Sequence, residues 1–394
     1  MPTAHPRPSI PGWLLLCLLS FTAVAAVAQE QSGRTVSVDA AEDTQNIFLL
    51  RKLLTERQFR FFGRVEGDIA HYDIPLITDE TDYELRRFRL GLIGLNPWFE
   101  NLSYKVEIDL TDGSSTLSSA YVIASFGDNG SFTIGNQDGS QSLSASTGSL
   151  SQLFMEEPLP IQAFGLDKRL GVSYDYSGRR SGVHALLFGE DLNSDTRHRG
   201  VALRAFVNPL RSAGGILHLG VSGVREDISG STSLRTRPES HVTDTFIVDT
   251  GKFDDVETTR RLGVEAAGAR GAFSTRLEFL VKEWQREDGS ENRFVGAYME
   301  GGYFITGQPF RYLNGKFVRP ALAKGDAAWE LGYRFSWLNL NDGDVEGGEQ
   351  RNTGLALNYY PRPNLRGQFN LIYVDAEDSS SDGWLAQARI QVNW

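Results

Sequence analysis

The chain has 394 residues, with 39 Lys and Arg against 50 Asp and Glu, and a formal net charge of −11. That acidity excludes a ligand built on a phosphate backbone, so nucleic acid is not a partner. A mean hydropathy of −0.29, with a single long apolar run near the start, excludes a bundle of membrane helices.

Arg7 supplies the only formal charge before an apolar run from Trp13 to Val27. Ala26-Val27-Ala28 has the small-x-small form of a cleavage site, so residues 1–28 read as a signal peptide and the mature chain begins at Gln29. The run is too short for a membrane anchor. Cys17 lies inside it and leaves with it, which removes disulfides, thiol catalysis and cysteine metal sites. Residues 29–57 form a lead-in in which Ile47, Leu50 and Leu54 have helical spacing. Two readings stand: a disordered segment with a turn or two of helix, or a short periplasmic coiled coil supporting a trimer. A helix this short is not stable alone.

From Gln58 onward the chain becomes a series of alternating segments. The first puts Phe59, Phe61, Val65 and Ile69 on one face and Arg60, Arg64, Glu66 and Asp68 on the other. The second puts Phe88, Leu90 and Leu92 opposite Arg87 and Arg89. The third sets Leu102, Tyr104, Val106 and Ile108 against Ser103, Lys105, Glu107 and Asp109. Charges on the hidden face of a soluble sandwich would be ruinous. Facing a water-filled lumen, they cost little.

Further segments follow near 117–126, 130–136, 168–177, 181–190, 198–208, 215–225, 258–268, 271–284 and 292–305. The late ones alternate most cleanly, as in Trp329, Leu331, Tyr333, Phe335 and Trp337. Segments around 355–360 and 368–373 come next. The last runs from Trp384 to an outward Trp394, with Gln387, Arg389 and Gln391 on its polar face. The total is about sixteen strands, an even number as a single-chain bacterial barrel requires.

Connections alternate in length. Short turns at 96–97, 127–130, 177–180, 268–270 and 361–364 separate polar loops at about 71–83, 137–167, 226–257, 285–291 and 341–350. Short periplasmic turns and long outer loops are the pattern of outer-membrane barrels. Residues 306–325 break it: by parity they are periplasmic, yet they are long, so either that turn is elaborated or the strand count slips nearby. The fold class is therefore all-β, a transmembrane antiparallel barrel spanning 58–394 in the Gram-negative outer membrane. Its terminal aromatic strand is the feature that barrel assembly machinery reads, and its surroundings are outer-membrane lipid and lipopolysaccharide.

Several segments carry a family resemblance. They are Glu84-Leu-Arg-Arg-Phe-Arg-Leu-Gly-Leu92, Leu102-Ser-Tyr-Lys-Val-Glu-Ile-Asp109, Arg235-Thr-Arg-Pro-Glu-Ser-His241, Tyr303-Phe-Ile-Thr-Gly307, Ala328-Trp-Glu-Leu-Gly-Tyr-Arg-Phe335 and Leu355-Ala-Leu-Asn-Tyr-Tyr360. Through them the chain from Gln58 to Trp394 resembles the phosphate-selective porin O and P family. The resemblance implies a sixteen-stranded homotrimeric barrel with an inward-folded loop 3 and an arginine-lined path for small anions, phosphate or pyrophosphate among them.

Arginine suits such a path because its planar fork matches phosphate oxygens. Arg86, Arg87, Arg235 and Arg237 match the family motifs and lead the candidates for the path. Arg64, Lys105 and Arg260 or Arg261 follow. Each has the alternative of a merely solvated charge. From a regular strand only one of Arg86 and Arg87 can face inward, unless a bulge or the rim intervenes. The chain also departs from the family. Ser118 and Ser119 stand where a Lys-Asp pair is usual, loop 3 opens Gln137-Asp138-Gly139-Ser140, and no lysine lies between Lys105 and Lys168. Selectivity thus stays open between phosphate and a general diffusion porin.

Two other classes are open to such a barrel. A barrel enzyme could use His184 or His218, but nothing local marks a nucleophile, and the reading is no enzyme and no cofactor. A structural or adhesive barrel would act through acidic outer segments. There Asn339-Leu-Asn-Asp-Gly-Asp344 lacks the spacing of a calcium loop, so no metal is assigned.

Overall fold

A computed structural model describes residues 59–394, apart from 114, 140, 194–197, 213, 324 and 378. The signal peptide and lead-in read from the sequence lie outside the described residues. The wall begins with β1 (Phe59–Asp73), β2 (Thr81–Leu95), β3 (Leu102–Asp109), β4 (Thr116–Phe126) and β5 (Gly130–Gln137). It continues with β6 (Arg169–Ser177), β7 (Ser181–Phe188), β8 (Arg199–Ser212) and β9 (Gly215–Asp227). A two-stranded ribbon, β10 (Arg235–Thr236) and β11 (Val248–Asp249), sits in the next loop. The wall resumes with β12 (Val256–Arg270), β13 (Phe273–Arg286) and β14 (Glu291–Phe304). A second ribbon, β15 (Arg311–Leu313) and β16 (Lys316–Val318), precedes β17 (Ala328–Asp342), β18 (Val345–Arg362), β19 (Leu365–Ala376) and β20 (Gly383–Asn393).

Sixteen strands pair antiparallel in one closed ring, and β20 returns to β1 with Arg64 opposite Asn393 and Asp73 opposite Trp384. Closure leaves no sheet edge, which is the condition for strands to cross lipid. The packing is inverted relative to a soluble protein. Phe61, Leu262 and Leu187 are exposed, whereas Glu66, Arg334, Asn370 and Arg389 are buried. Each strand supplies both faces because successive side chains point to opposite sides.

Two boundaries differ from the alternation reading. Only 343–344 separate β17 from β18, so most of 341–350 is hairpin, and β1 extends to Asp73 so that the first loop is 74–80. The ladder pairing runs on past the apolar outer stripe, where outward side chains such as His71 and Asn341 are polar and the alternation is harder to read. The long turn is elaborated and the strand count does not slip. Residues 305–327 carry β15 and β16, and Phe317 packs with Leu143 and Ala267.

Segment 138–168 holds two short helices, α1 (Leu143–Ser146) and α2 (Leu159–Phe164). Leu159, Ile161 and Phe164 of α2 pack with Leu280, Trp284, Phe294, Tyr298 and Leu338 from β13, β14 and β17. The segment also takes hydrogen bonds from β17–β20. Arg334 donates to the Glu156 carbonyl at 2.8 Å, Asn358 to Leu153 at 2.9 Å, Arg366 to Gln152 at 2.7 Å and Arg389 to Met155 at 2.7 Å.

The seam is sealed by backbone bonds of 3.1 and 3.2 Å between Gly63 and Trp394. The indole lies over Gly63 so closely that a Cβ there would sit 2.2 Å from it, whereas a Cβ at Gly67 on the same strand meets nothing. Gly63→Val should therefore displace Trp394 and cost about 1–3 kcal/mol, as overpacking does. Gly67→Val serves as the matched control. The temperature at which the folded band on a semi-native gel converts to the unfolded one should fall for Gly63→Val alone. Equal shifts would remove the seam contact from the account.

Candidate ion path

Two irregularities in the wall shape its inner surface. Between β1 and β2, Glu66 opposes Arg87 but Gly67 opposes Leu85, so Arg86 is an extra residue in the ladder. Between β3 and β4, Glu107 opposes Ser119 but Ile108 opposes Leu117, which leaves Ser118 extra. A β-bulge of this kind re-aims a side chain. It lets Arg86 and Arg87 line the same cavity, and it buries Ser118 and Ser119 together.

The cavity holds about 1140 Å³. Its β1–β3 side carries Arg64, Arg86, Arg87, Arg89 and Lys105. Each is steadied by an acceptor. Arg87 meets Glu66 at 2.5 Å, Arg89 meets Asp109 at 2.6 Å, and Lys105 meets Glu107 at 3.2 Å. Arg64 donates to Ser149 at 2.7 Å, and Arg86 makes two bonds to Glu156, at 3.0 and 3.1 Å. Ser149 and Glu156 belong to segment 138–168, so these arginines tie that segment to the wall. Around the cavity stand eleven Lys and Arg against six Asp and Glu. The chain as a whole has the opposite balance.

The loop 228–255 adds Arg235 and Arg237, two residues apart and turned to one side. Their guanidinium groups lie 4.1 and 5.5 Å from the ring centre of Phe246. Arg237 also meets Asp244 at 2.6 Å. Arg261 is elsewhere. It is buried, does not line the cavity, and donates to the carbonyls of Gln141 at 2.8 Å and Phe164 at 3.2 Å. Of the two alternatives Arg260 and Arg261, it is Arg261 that turns inward, but the carbonyls of segment 138–168 occupy its fork. Arg260 points to the exposed face and reaches Gln285 at 3.3 Å.

Lys168, Arg169, Lys282 and Lys316 also line the cavity and were missed as candidates. Inward parity in β6 and β13 is the sequence signal for Arg169 and Lys282, which lie outside the family motifs. Lys168 donates to Ser119 at 2.8 Å and pairs with Asp138 at 3.3 Å. A lysine thus reaches one of the two serines that replace the family's Lys-Asp pair, arriving from the end of loop 3. Burial pulls the Lys168 amine down, opposed by Asp138. The strand histidines are engaged otherwise, His184 with Asp175 at 2.6 Å and His218 with Glu265 at 2.8 Å and Tyr312 at 2.5 Å.

Comparison with known proteins gives the family and the fold. The family model for phosphate-selective porin O and P matches residues 59–394. The chain belongs to the phosphate-selective porin O and P family. It is an outer-membrane porin. An uncharacterised protein of Caulobacter vibrioides is 29% identical over 350 residues, covering 82% of this chain and 70% of that one. Porin O of Pseudomonas aeruginosa is 23% identical over 377 residues, covering 83% of each. Among solved structures, a loop-deletion form of OmpT from Vibrio cholerae superimposes with a TM-score of 0.56 at 15% identity, covering 85% of this chain and 99% of that one. An anion-selective porin from Comamonas acidovorans gives 0.53 at 12%, with the same coverage. These two likenesses show the fold.

Two neighbouring carboxyls of the porin's loop 3 behave differently. Burial alone would raise Glu156, but Arg86 and Arg389 outweigh it and hold the group well below the usual range. Glu157 accepts from Gln152 at 3.1 Å; burial, and then the charge of Glu156, push it up to about 7. It is therefore neutral below that pH and anionic above it. Raising the pH from 5.5 to 8.5 should add one negative charge to the cavity and lower the ratio of chloride to potassium permeability in planar bilayers. Glu157→Gln should flatten that response. A full pH response in the variant would place the titrating group elsewhere.

Proposed function

We propose that this porin is a passive diffusion channel for small anions, phosphate among them, with a constriction lined by arginine and lysine. Segment 138–168 acts as an inward-folded loop 3, supported by its hydrogen bonds to β17–β20 and its packing on β13, β14 and β17. The observation that carries the reading is the basic lining of the cavity in an acidic chain. A concentration of one charge sign in a low-dielectric cleft raises the local concentration of counter-ions. Pairing of the cations with Glu66, Glu107 and Glu156 limits their grip, and conduction requires that an ion can leave. Anions enter between outer loops, pass Arg235 and Arg237, cross the field of Arg64, Arg86, Arg87, Arg89 and Lys105 beside Lys168, and leave to the periplasm. No nucleotide or metal drives the passage.

The names of its relatives agree with this reading: one family member is called Porin O, and one structural neighbour is described as anion-selective. A homotrimer fits as well. One OmpT structure of Vibrio cholerae is described as a trimer form. In this chain β3, β5 and β7 have eight residues each. A tilted strand facing lipid needs about 9–11 residues, so that side of the wall suits a protein neighbour. Export through a cleaved signal at 1–28 and assembly through the aromatic β20 complete the proposal.

Phosphate titrated into a chloride current tests the substrate. Millimolar phosphate should reduce the single-channel chloride current by occupying the basic path. Lys168→Gln, and the pair Arg235→Ala with Arg237→Ala, should each weaken that block several-fold. A chloride current indifferent to phosphate would leave a general diffusion porin.

A further inference from the structure

The exposed face of the wall carries a row of cations that the channel does not use. At the end bearing the loops 228–255 and 287–290, Arg225 on β9 lies directly opposite Arg260 on β12. Arg260 lies opposite Glu283 on β13, and Glu283 opposite Arg293 on β14. Four neighbouring strands thus present Arg225, Arg260, Glu283 and Arg293 side by side, and Arg199 on β8 stands one step further out, opposite Asp227. Arg199, Arg225 and Arg293 are 80, 60 and 65 % exposed. Directly beneath them the outward residues are apolar and exposed: Val201, Val221, Leu262, Val264 and Phe279. The strands here have 13 to 15 residues, long enough to cross a bilayer.

Like charges directly opposite on a sheet destabilise it. The paired carboxylates relieve the row only in part. Asp227 stands 3.5 Å from Arg225 and 3.8 Å from Arg199, and Arg260 has Gln285 at 3.3 Å. Arg293 has Glu283 at 2.8 Å. Among the described ion pairs of the row, Arg199 and Arg225 share Asp227, and Arg293 holds Glu283. Strands stand about 4.8 Å apart, so Arg225 and Arg260 can fork onto one doubly charged oxyanion. The row lies where an apolar band ends at the outer face, the depth of lipid headgroups.

We propose that Arg225, Arg260 and Arg293, with Arg199 above them, form a binding site for the phosphate groups of an outer-leaflet glycolipid, its acyl chains lying on the apolar band below. The site is on the outside of the wall and is independent of what the pore conducts.

The test uses the full mature protein in detergent, titrated with diphosphoryl lipid A and read by native mass spectrometry. Near a charged surface each arginine is worth roughly fivefold in affinity. The triple variant Arg225→Gln, Arg260→Gln, Arg293→Gln should bind on the order of a hundredfold more weakly, with unchanged chloride conductance as the check on folding. Glu283→Gln should bind more tightly, because it frees Arg293. Should the triple variant not fold, Arg260→Gln alone decides, with about a fivefold loss. Inorganic phosphate at equal concentration should not compete. Undiminished binding of lipid A by these variants overturns the proposal. Competition by inorganic phosphate overturns the lipid assignment and makes the row a free-anion site.

Discussion

Arg389 on β20 holds both oxygens of Asp68 on β1, at 2.7 and 2.6 Å, and with the same fork reaches Glu156 at 2.6 Å. A third nitrogen donates to the Met155 carbonyl at 2.7 Å. One side chain therefore closes the seam between the last strand and the first and fixes segment 138–168 against it. Glu156 passes the constraint to Arg86, and Glu66, 3.6 Å from Arg389, passes it to Arg87. Arg86 and Arg87 are held in the cavity wall by this network. Breaking one member of a buried pair typically costs about 3–5 kcal/mol, since its partner is left charged and unpaired. Such a network is tolerable here because each charge is matched by an opposite charge or by backbone dipoles.

The same chain sorts its charges by place. Acidic residues outnumber basic ones overall, yet the cavity is basic, and so is the row on the outer face of β9–β14. A strand can do this because its two faces are independent. Arg261 turns inward to hold carbonyls of segment 138–168, while Arg260, its neighbour, turns outward beside Arg225. Net charge describes solubility; the placement of each sign by parity describes what the protein can attract.

The fold was largely legible because period-2 alternation maps directly onto a wall with one wet and one lipid face. Sixteen segments in the sequence correspond to sixteen strands, including those between 117 and 208 where alternation is weak. Parity also placed Arg87, Arg389 and Gln391 correctly. What alternation cannot report is an interruption of itself. Arg86 and Ser118 are bulged, and adjacent arginines were the only hint of the first. Nor can it report what returns to the inner face from a loop. Arg261 has the right parity, but its fork is filled by Gln141 and Phe164, and Lys168 reaches Ser119 from outside any strand. Those contacts join residues far apart in sequence, and the pattern along a single strand carries no trace of them.

The central claim is that the basic cavity decides which ion passes. It is tested most directly by the zero-current potential of the reconstituted porin across a KCl gradient. The account predicts preferential chloride flow, which makes the dilute compartment negative. A dilute compartment that becomes positive, with potassium the preferred ion, would contradict it.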